Sequence, residues 1–228
     1  MRFQPLSVAR LLDRLEAIYG PQQPCWPVDP YEFLVWWYCG YPASDATCSR
    51  GWSALTRQVG VEPGKILGAS EEKLAVALKS SGMFPEKRAA RLQEVARCVQ
   101  DEYGGDLRGA LAGPIREARS KLKRFHSIGD PGADRILLFG HLAAIAAVPS
   151  NCVHVLVRLE SGTQGENYRA SYRAAQALIE EELPRQFHAR ERAYLLLKHH
   201  GQQICKAAKP KCESCQVSMH CAYFAALK

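Results

Sequence analysis

The chain has 228 residues, a hydrophobic fraction of 47 % and a formal net charge of +7 at pH 7. This length is enough for one large domain or two smaller lobes, and the positive charge favours a polyanionic partner. Five of its nine cysteines are scattered, which argues against a secreted disulfide framework. The sequence shows neither a signal peptide nor an apolar run of bilayer length. We therefore expect a soluble protein of the cytoplasm.

Helix signals dominate the chain from its start. Ser7 is a good N-cap for a helix that ends near Tyr19, and Asp29–Pro30 has the cap and first-residue pattern of a second helix over 31–39. Further helices are predicted over 46–59, from Ser70, over 85–103, 114–123, 130–147, 167–182 and 188–200. Only a few residues near Val153 show any strand tendency. The predicted fold class is all-α.

The last two dozen residues contain a cysteine box with the spacing C-x6-C-x2-C-x5-C. Its members are Cys205, Cys212, Cys215 and Cys221. Four thiolates this close together can hold a [4Fe-4S] cluster or a tetrahedral zinc ion. Zinc ribbons usually carry two CxxC knuckles, and this box has one, so the cluster is favoured. Zinc and disulfides are the alternatives.

Three lysines, Lys206, Lys209 and Lys211, crowd the first spacer of the cysteine box. A solvated loop is one interpretation of this charge. Beside a metal centre that fixes the loop, contact with a phosphate backbone is the other, and it agrees with the positive charge of the whole chain.

A glycine-containing turn between two predicted helices is the second informative stretch. Ser127, Ile128, Gly129 and Gly132 lie in the phrase RFHSIGDPGADRILLF. Such a turn, followed by a helix N-terminus, exposes backbone amides that can bind a phosphate oxygen, although many similar turns are plain helix connections. Asp130 is expected to cap the following helix, where it would compete with phosphate for the amides.

Several stretches together resemble one family. They are the hairpin, the phrases LVWWYCGYPASDAT, SSGMFPEKRAARLQEVAR and LLLKHHGQQICKAAKPKC, and the K-P-K-C-E-S-C segment of the box. In these stretches the chain resembles the endonuclease III family of helix-hairpin-helix DNA glycosylases, which carry an iron–sulfur cluster. The resemblance covers roughly Leu6 to Tyr223, and the cysteine spacing equals that of the family at every interval.

The resemblance implies two helical lobes and a DNA partner. A six-helix barrel would occupy residues 30–144, with the hairpin at about 125–132. The cluster lobe would combine 1–29 with 145–228. Double-stranded DNA, damaged or abasic, would lie across the cleft of a monomer, with a flipped base between the lobes. The hairpin residues and the three spacer lysines would contact DNA, and the four cysteines would bind the cluster.

The catalytic positions of the family are not matched in this sequence. The position of the lyase lysine falls on Pro131, and that of the catalytic aspartate falls at or near Pro149, so no catalytic residue is assigned. Asp130 and Asp134 lie near the hairpin, but roles as a helix cap and a first-turn acid explain them better. The wedge glutamine of the family is replaced by Pro42 or Tyr41.

Three functional hypotheses follow. The first is a base-excision repair protein that binds damaged or abasic duplex DNA and excises a base by N-glycosidic hydrolysis with little lyase activity. The second is the same scaffold acting as a non-catalytic module that recognises distorted or abasic DNA. The third is a zinc-bearing helical adaptor whose positive charge serves solubility.

Overall fold

A computed structural model describes residues 6–162 and 167–227 of the chain. Within these ranges the secondary structure is helical, without strands, so the all-α prediction is confirmed. The α-helices are α1 (Val8–Tyr19), α2 (Pro30–Gly40), α3 (Asp45–Gln58), α4 (Pro63–Gly68), α5 (Glu71–Leu78), α6 (Pro85–Tyr103), α7 (Leu107–Leu111), α8 (Ile115–Leu122), α9 (Asp130–Phe139), α10 (His154–Ser161), α11 (Tyr168–Glu182), α12 (Phe187–Gln203) and α13 (Ala222–Ala226). None of the described helices combines the length and apolar character needed to cross a bilayer.

Residues 24–127 form one compact body, the contiguous unit, which contains α2 to α8. Its central helix is α2, which packs against α3, α6 and α7 and is apolar around most of its circumference. A helix with apolar side chains on all faces must be surrounded by other elements. Accordingly, Trp36 of α2 is fully buried.

The terminal unit combines the described residues of 1–23 and 128–228. It contains α1 and α9 to α13, and its core is formed where α1 packs against α11 and α12 and where α10 packs against α11, α12 and α13. Leu11 and Leu15 of α1 are completely buried in this core. Cys205, Cys215 and Cys221 pack at its edge.

The local helix signals are confirmed where a capping side chain sets the first turn. The Ser7 side chain accepts a hydrogen bond from the Arg10 amide at the start of α1. The Asp29 carboxylate accepts from two amides at the start of α2. These caps depend on neighbouring residues alone, which is why the sequence indicates them.

One prediction about the middle of the chain is wrong, and the weak strand tendency noted near Val153 has no counterpart in the structure. The helix predicted over 130–147 ends at Phe139, because the backbone turns at Gly140 and His141, where His141 has a φ of 54°. The residues near Val153 are followed by α10 and form no strand. Between α9 and α10 the chain is non-helical and buried from Ile145 to Pro149.

The predicted lobe boundaries differ from the observed units. The sequence prediction places residues up to 144 in the barrel, whereas residues from Ile128 onward belong to the terminal unit. The physical reason is the packing of α9 on α12, where Phe139 makes an edge contact with Tyr194 at 5.2 Å between ring centroids. The hairpin thus contains the boundary between the two units.

Candidate metal centre and nucleic-acid interface

All four cysteines of the C-terminal box line one small cavity of about 30 Å³ in the terminal unit. These are Cys205, Cys212, Cys215 and Cys221, and all are free thiols. Tight turns bring them together, since the Cys215 amide donates to the carbonyl of Cys212 at 3.1 Å and the Cys221 amide donates to that of Ser218 at 3.0 Å. The rest of the lining is largely apolar and includes Leu11 and Val217. The cavity is therefore a cysteine-lined pocket with a largely apolar wall.

The environment of this cavity disfavours unliganded thiolates. Burial is the main cause that raises the pKa of Cys215 to about 11, and the negative charges of neighbouring thiolates add to it. The pKa values of Cys205 and Cys212 are also raised, again chiefly by burial. Four thiolates in this cavity need a cation between them, which is what a bound metal centre supplies.

The spacing of the thiols bears on which metal fits. Zinc holds each thiolate sulfur at about 2.3 Å, so its four ligands must be close to one another. Among the described residues, no three His, Cys, Asp or Glu side chains are grouped closely enough to hold one metal ion. The cysteines nevertheless line one cavity. Four cysteine thiolates around one cavity are the ligand set of a zinc ion or of an iron–sulfur cluster.

Arg158 of α10 lies against this cavity with only 1 % of its surface exposed. Its Nη1 is 3.7 Å from the Sγ of Cys205 and donates to the Lys206 carbonyl at 2.8 Å, and its Nη2 donates to the Ala207 carbonyl at 2.6 Å. Its guanidinium carbon stands 4.8 Å from the ring centroid of Tyr223. The Arg158 side chain thus places positive charge beside the cysteines and holds the start of the spacer loop.

Two histidines also contact the cysteine segment. Nδ1 of the buried His200 lies 2.8 Å from the Tyr19 hydroxyl, and its Nε2 lies 3.8 Å from the Sγ of Cys215. Burial lowers the pKa of His200 to about 4, so the ring is neutral at pH 7. When the Tyr19 hydroxyl donates to Nδ1, the single ring proton lies on Nε2 and faces the sulfur. His154 Nε2 is 2.6 Å from the Cys205 carbonyl.

Three of the hairpin residues, Ser127, Ile128 and Gly129, lie between α8 and α9, and Gly132 lies in the first turn of α9. Ser127 adopts a left-handed backbone conformation with a φ of 62°, which glycine tolerates better than serine. Ile128 is buried, whereas Gly129 is exposed. A Cβ added to Gly129 would meet only the Pro131 side chain, at 3.8 Å. The backbone at Gly129 is therefore open to close approach from outside.

The prediction that Asp130 caps α9 is wrong. The helix begins at Asp130 itself, the preceding Gly129 is the N-cap residue, and no side-chain hydrogen bond caps this end. The extended backbone of Gly129, with φ −95° and ψ −170°, sets the start of the helix instead.

The three spacer lysines, Lys206, Lys209 and Lys211, are all exposed. The loop that carries them is fixed at both ends. Arg158 holds its first carbonyls, and the Lys211 amide donates to the Ile204 carbonyl at 2.9 Å. The loop therefore presents a dense positive charge on an ordered backbone.

The structure places apolar or structural groups at the positions implied as catalytic. Pro131 lies in the first turn of α9, and Pro149 is buried, with its carbonyl accepting from the Cys152 amide at 2.9 Å. Asp134 is only 1 % exposed. Its carboxylate accepts from the Tyr172 hydroxyl at 2.8 Å and from the Gln176 amide nitrogen at 2.9 Å. Asp134 is thus part of a buried polar network.

The contiguous unit has its own open cavity, of about 610 Å³. Its lining combines aromatic, apolar and cationic residues, namely Tyr38, Tyr41, Pro42, Ala43, Gly82, Met83, Phe84, Lys87, Arg88, Arg91, His126 and Ser127. Met83 and Phe84 are 75 % and 59 % exposed, and Phe84 has a φ of 59°. Lys87 Nζ lies 5.0 Å from the centroid of the Phe84 ring. We call this cavity the aromatic–cationic groove.

Comparisons with known proteins define the class of fold. No protein-family model matches the chain. A solved structure of endonuclease III trapped in a covalent intermediate with DNA has a TM-score of 0.72 and 17 % identity, covering 97 % of this chain and 99 % of that one. A thermostable thymine-DNA glycosylase gives a TM-score of 0.74 at 21 % identity, covering 96 % of this chain and 97 % of that one. The chain has the all-α fold of the endonuclease III-like helix-hairpin-helix DNA glycosylases.

A curated protein is also similar to this chain in sequence. The thymine/uracil-DNA glycosylase of Methanothermobacter thermautotrophicus is 29 % identical over 164 residues, which are 70 % of this chain. The match spans 66 % of the length of that relative, just under two thirds.

The sequence interpretation did not single out Arg158, His200 or Tyr19 as neighbours of the cysteines. Arg158 precedes Cys205 by 47 residues and contacts it only through the packing of α10. A buried arginine in a strongly apolar helix, VHVLVRL, is the one signal that sequence offers, because a charge in such a segment needs a partner.

Proposed function

We propose that this chain acts on double-stranded DNA in base-excision repair, as a DNA glycosylase-like protein that recognises damaged, mispaired or abasic positions. The observation that carries the proposal is the sequence similarity over 164 residues to a thymine/uracil-DNA glycosylase. That relative makes thymine and uracil in mismatched pairs the first bases to test. The protein would work as a monomer at the chromosomal DNA of the cytoplasm.

Two features are proposed as phosphate contacts. The hairpin residues Ser127, Ile128, Gly129 and Gly132 would bind a backbone phosphate through main-chain amides, supported by the open space at Gly129 beside the start of α9. Lys206, Lys209 and Lys211 would bind further phosphates, supported by their exposure on an anchored loop.

The aromatic–cationic groove supports a nucleic-acid ligand independently. Exposed apolar side chains such as Met83 and Phe84 are of the type that enters between base steps, and aromatic rings stack on unpaired bases. Lys87 and Arg91 in the same lining supply charge for flanking phosphates. A groove with this lining suits a distorted duplex, where one base is already unstacked.

We also propose that the terminal unit holds a [4Fe-4S] cluster through Cys205, Cys212, Cys215 and Cys221. The cavity that the four cysteines share and the C-x6-C-x2-C-x5-C spacing support this. When bound, the cluster would cross-link the turns that carry the four cysteines within residues 205–221. The cysteines thereby fix the lysine loop for DNA contact.

The second candidate function is non-catalytic recognition of distorted or abasic DNA. The family resemblance puts the position of the lyase lysine at Pro131 and that of the catalytic aspartate at or near Pro149. The specific observation in favour of this candidate is that Asp134, the nearby acid, is only 1 % exposed. A proline offers neither a nucleophile nor a charge to stabilise a developing cation. Both candidates require DNA binding, and they differ only in whether a base is released.

A single-turnover screen distinguishes the glycosylase from the non-catalytic module. Metal-loaded protein in excess over labelled duplexes is incubated with mismatched thymine, mismatched uracil, oxidised and alkylated bases and undamaged DNA, and alkali then cleaves any abasic product. A product from one lesion class, and none from undamaged DNA, supports the glycosylase. Binding to an abasic-analogue duplex without product from any lesion supports the non-catalytic module. Failure to bind any duplex contradicts both.

A further inference from the structure

Arg158 is a buried cation whose charge is not balanced by a carboxylate among the residues that the structure describes. Its polar contacts are the two carbonyls of Lys206 and Ala207 and the Sγ of Cys205, and its Nε has no hydrogen-bond partner. Carbonyl groups orient a guanidinium but carry no net charge. An unbalanced charge with 1 % exposure is costly in a protein interior.

Arg190, a second buried arginine in the same unit, allows a comparison of charge partners. It is also 1 % exposed, and its Nη1 and Nη2 each lie 2.8 Å from a carboxylate oxygen of Glu180. It donates to the Ala144 carbonyl as well. Arg190 therefore has a countercharge within the protein chain. For Arg158 the corresponding place is taken by Cys205.

We infer that Arg158 is the built-in counter-ion of the metal centre, so that the terminal unit is fully stabilised only around an anionic tetrathiolate. Four thiolates around a doubly charged metal core carry a net negative charge, and Arg158 donates toward one of the sulfurs. The same guanidinium holds the carbonyls at the start of the lysine loop. Without the metal centre, Arg158 becomes an unpaired buried charge. The inference rests on the proposed metal centre and is independent of DNA activity.

Two measurable consequences follow. A fixed positive charge beside the centre favours its more negative, reduced state, so loss of that charge shifts the reduction potential to a more negative value. Arg158 also makes binding of the centre and folding mutually dependent. The difference in unfolding temperature between metal-loaded and metal-free protein must therefore be larger with Arg158 than without it.

The test compares the full chain with the variants Arg158→Gln, Arg158→Lys and Arg190→Gln, each purified with its metal centre. Metal and sulfide content, the reduction potential from film voltammetry and the unfolding temperatures of the loaded and metal-free forms are measured. We expect R158Q to show a more negative potential and a smaller loaded-to-free difference, R158K to stay close to the parent, and R190Q to be destabilised equally in both forms.

Three outcomes overturn the inference. They are an unchanged potential and stability difference in R158Q, the same shifts in R190Q, and a shift in R158K as large as that in R158Q, since lysine keeps the charge. If R158Q retains no metal while R158K and R190Q load fully, the charge requirement is supported. If the centre contains zinc, the inference is tested only by the unfolding temperatures of the metal-loaded and metal-free forms. None of these results depends on base excision.

Discussion

Replacement of the three spacer lysines by alanine should weaken DNA binding mainly at low salt. Lys206, Lys209 and Lys211 are exposed on an anchored loop, and each phosphate contact contributes about 0.9 to the slope of log affinity against log salt. Loss of three contacts lowers the slope by about 2.7. Between about 50 and about 200 mM salt, the affinity of the parent protein should then fall about 40-fold more than that of the triple variant.

The assay is fluorescence anisotropy with an abasic-analogue duplex at several salt concentrations. A matched control replaces Lys65, Lys73 and Lys79, three exposed lysines of the contiguous unit, and so changes the net charge equally. The control variant should keep the parent slope. An equal reduction of the slope in both variants would show that total charge matters and that the loop makes no specific contact, which would refute the reasoning.

Four further predictions can be checked separately. Borohydride should trap no covalent adduct on abasic DNA, because Pro131 has no amine, and a strong adduct would show that another amine serves. Pro149→Asp should raise base excision in the single-turnover assay while Pro149→Ala does not, and equal rates would contradict the assignment of that position. Ser127→Gly should raise the free energy of unfolding by about 0.5–1 kcal/mol, since it relieves a left-handed serine; a lower value in urea denaturation would argue against strain. Glu180→Gln should lower the free energy of unfolding at pH 7 by roughly 1–3 kcal/mol, because Arg190 loses its countercharge. The hydrogen bond from Arg190 is the main cause that lowers the pKa of Glu180 from its usual 4.5, so this stabilisation is present above pH 4.5 and is lost as the pH falls through the folded-state pKa. The gap between Glu180→Gln and the parent should shrink in acid, and a constant gap would contradict the pairing.

Local signals in the sequence account for the helix starts and for the cysteine box. Ser7 and Asp29 cap helices through neighbouring amides, and the spacing of four cysteines within one short segment limits them to a common centre. Such features involve residues close together in the chain. They are therefore accessible to sequence reasoning without knowledge of tertiary contacts.

The segment between α9 and α10 was mispredicted because its partners are distant in sequence. The apolar run after Phe139 has the composition of a helix, yet its backbone is held by side chains. Arg190 donates to the Ala144 carbonyl at 2.8 Å, and Gln176 donates to the Ala146 carbonyl at 2.8 Å. These bonds satisfy backbone groups that a helix would otherwise pair internally. No local pattern encodes partners 30 to 46 residues away.

In the candidate site, too, the sequence indicates residues that are close together in the chain and misses those that only tertiary packing brings together. The cysteines and lysines are adjacent in sequence and were predicted together, whereas Arg158 reaches them only through the packing of α10. The aromatic–cationic groove likewise joins residues of α2 with those of α6 and the hairpin. Taken singly, its charged and aromatic residues give no functional signal in the sequence. Only the structure shows that they line one groove.

The most direct test of the central claim is the affinity of the metal-loaded protein for an abasic-analogue duplex and for the matched undamaged duplex at several salt concentrations. We expect tighter binding to the abasic duplex and an affinity that falls steeply with salt for both duplexes. Equal, salt-independent binding to the two duplexes, or no binding to either, would contradict a role in base-excision repair.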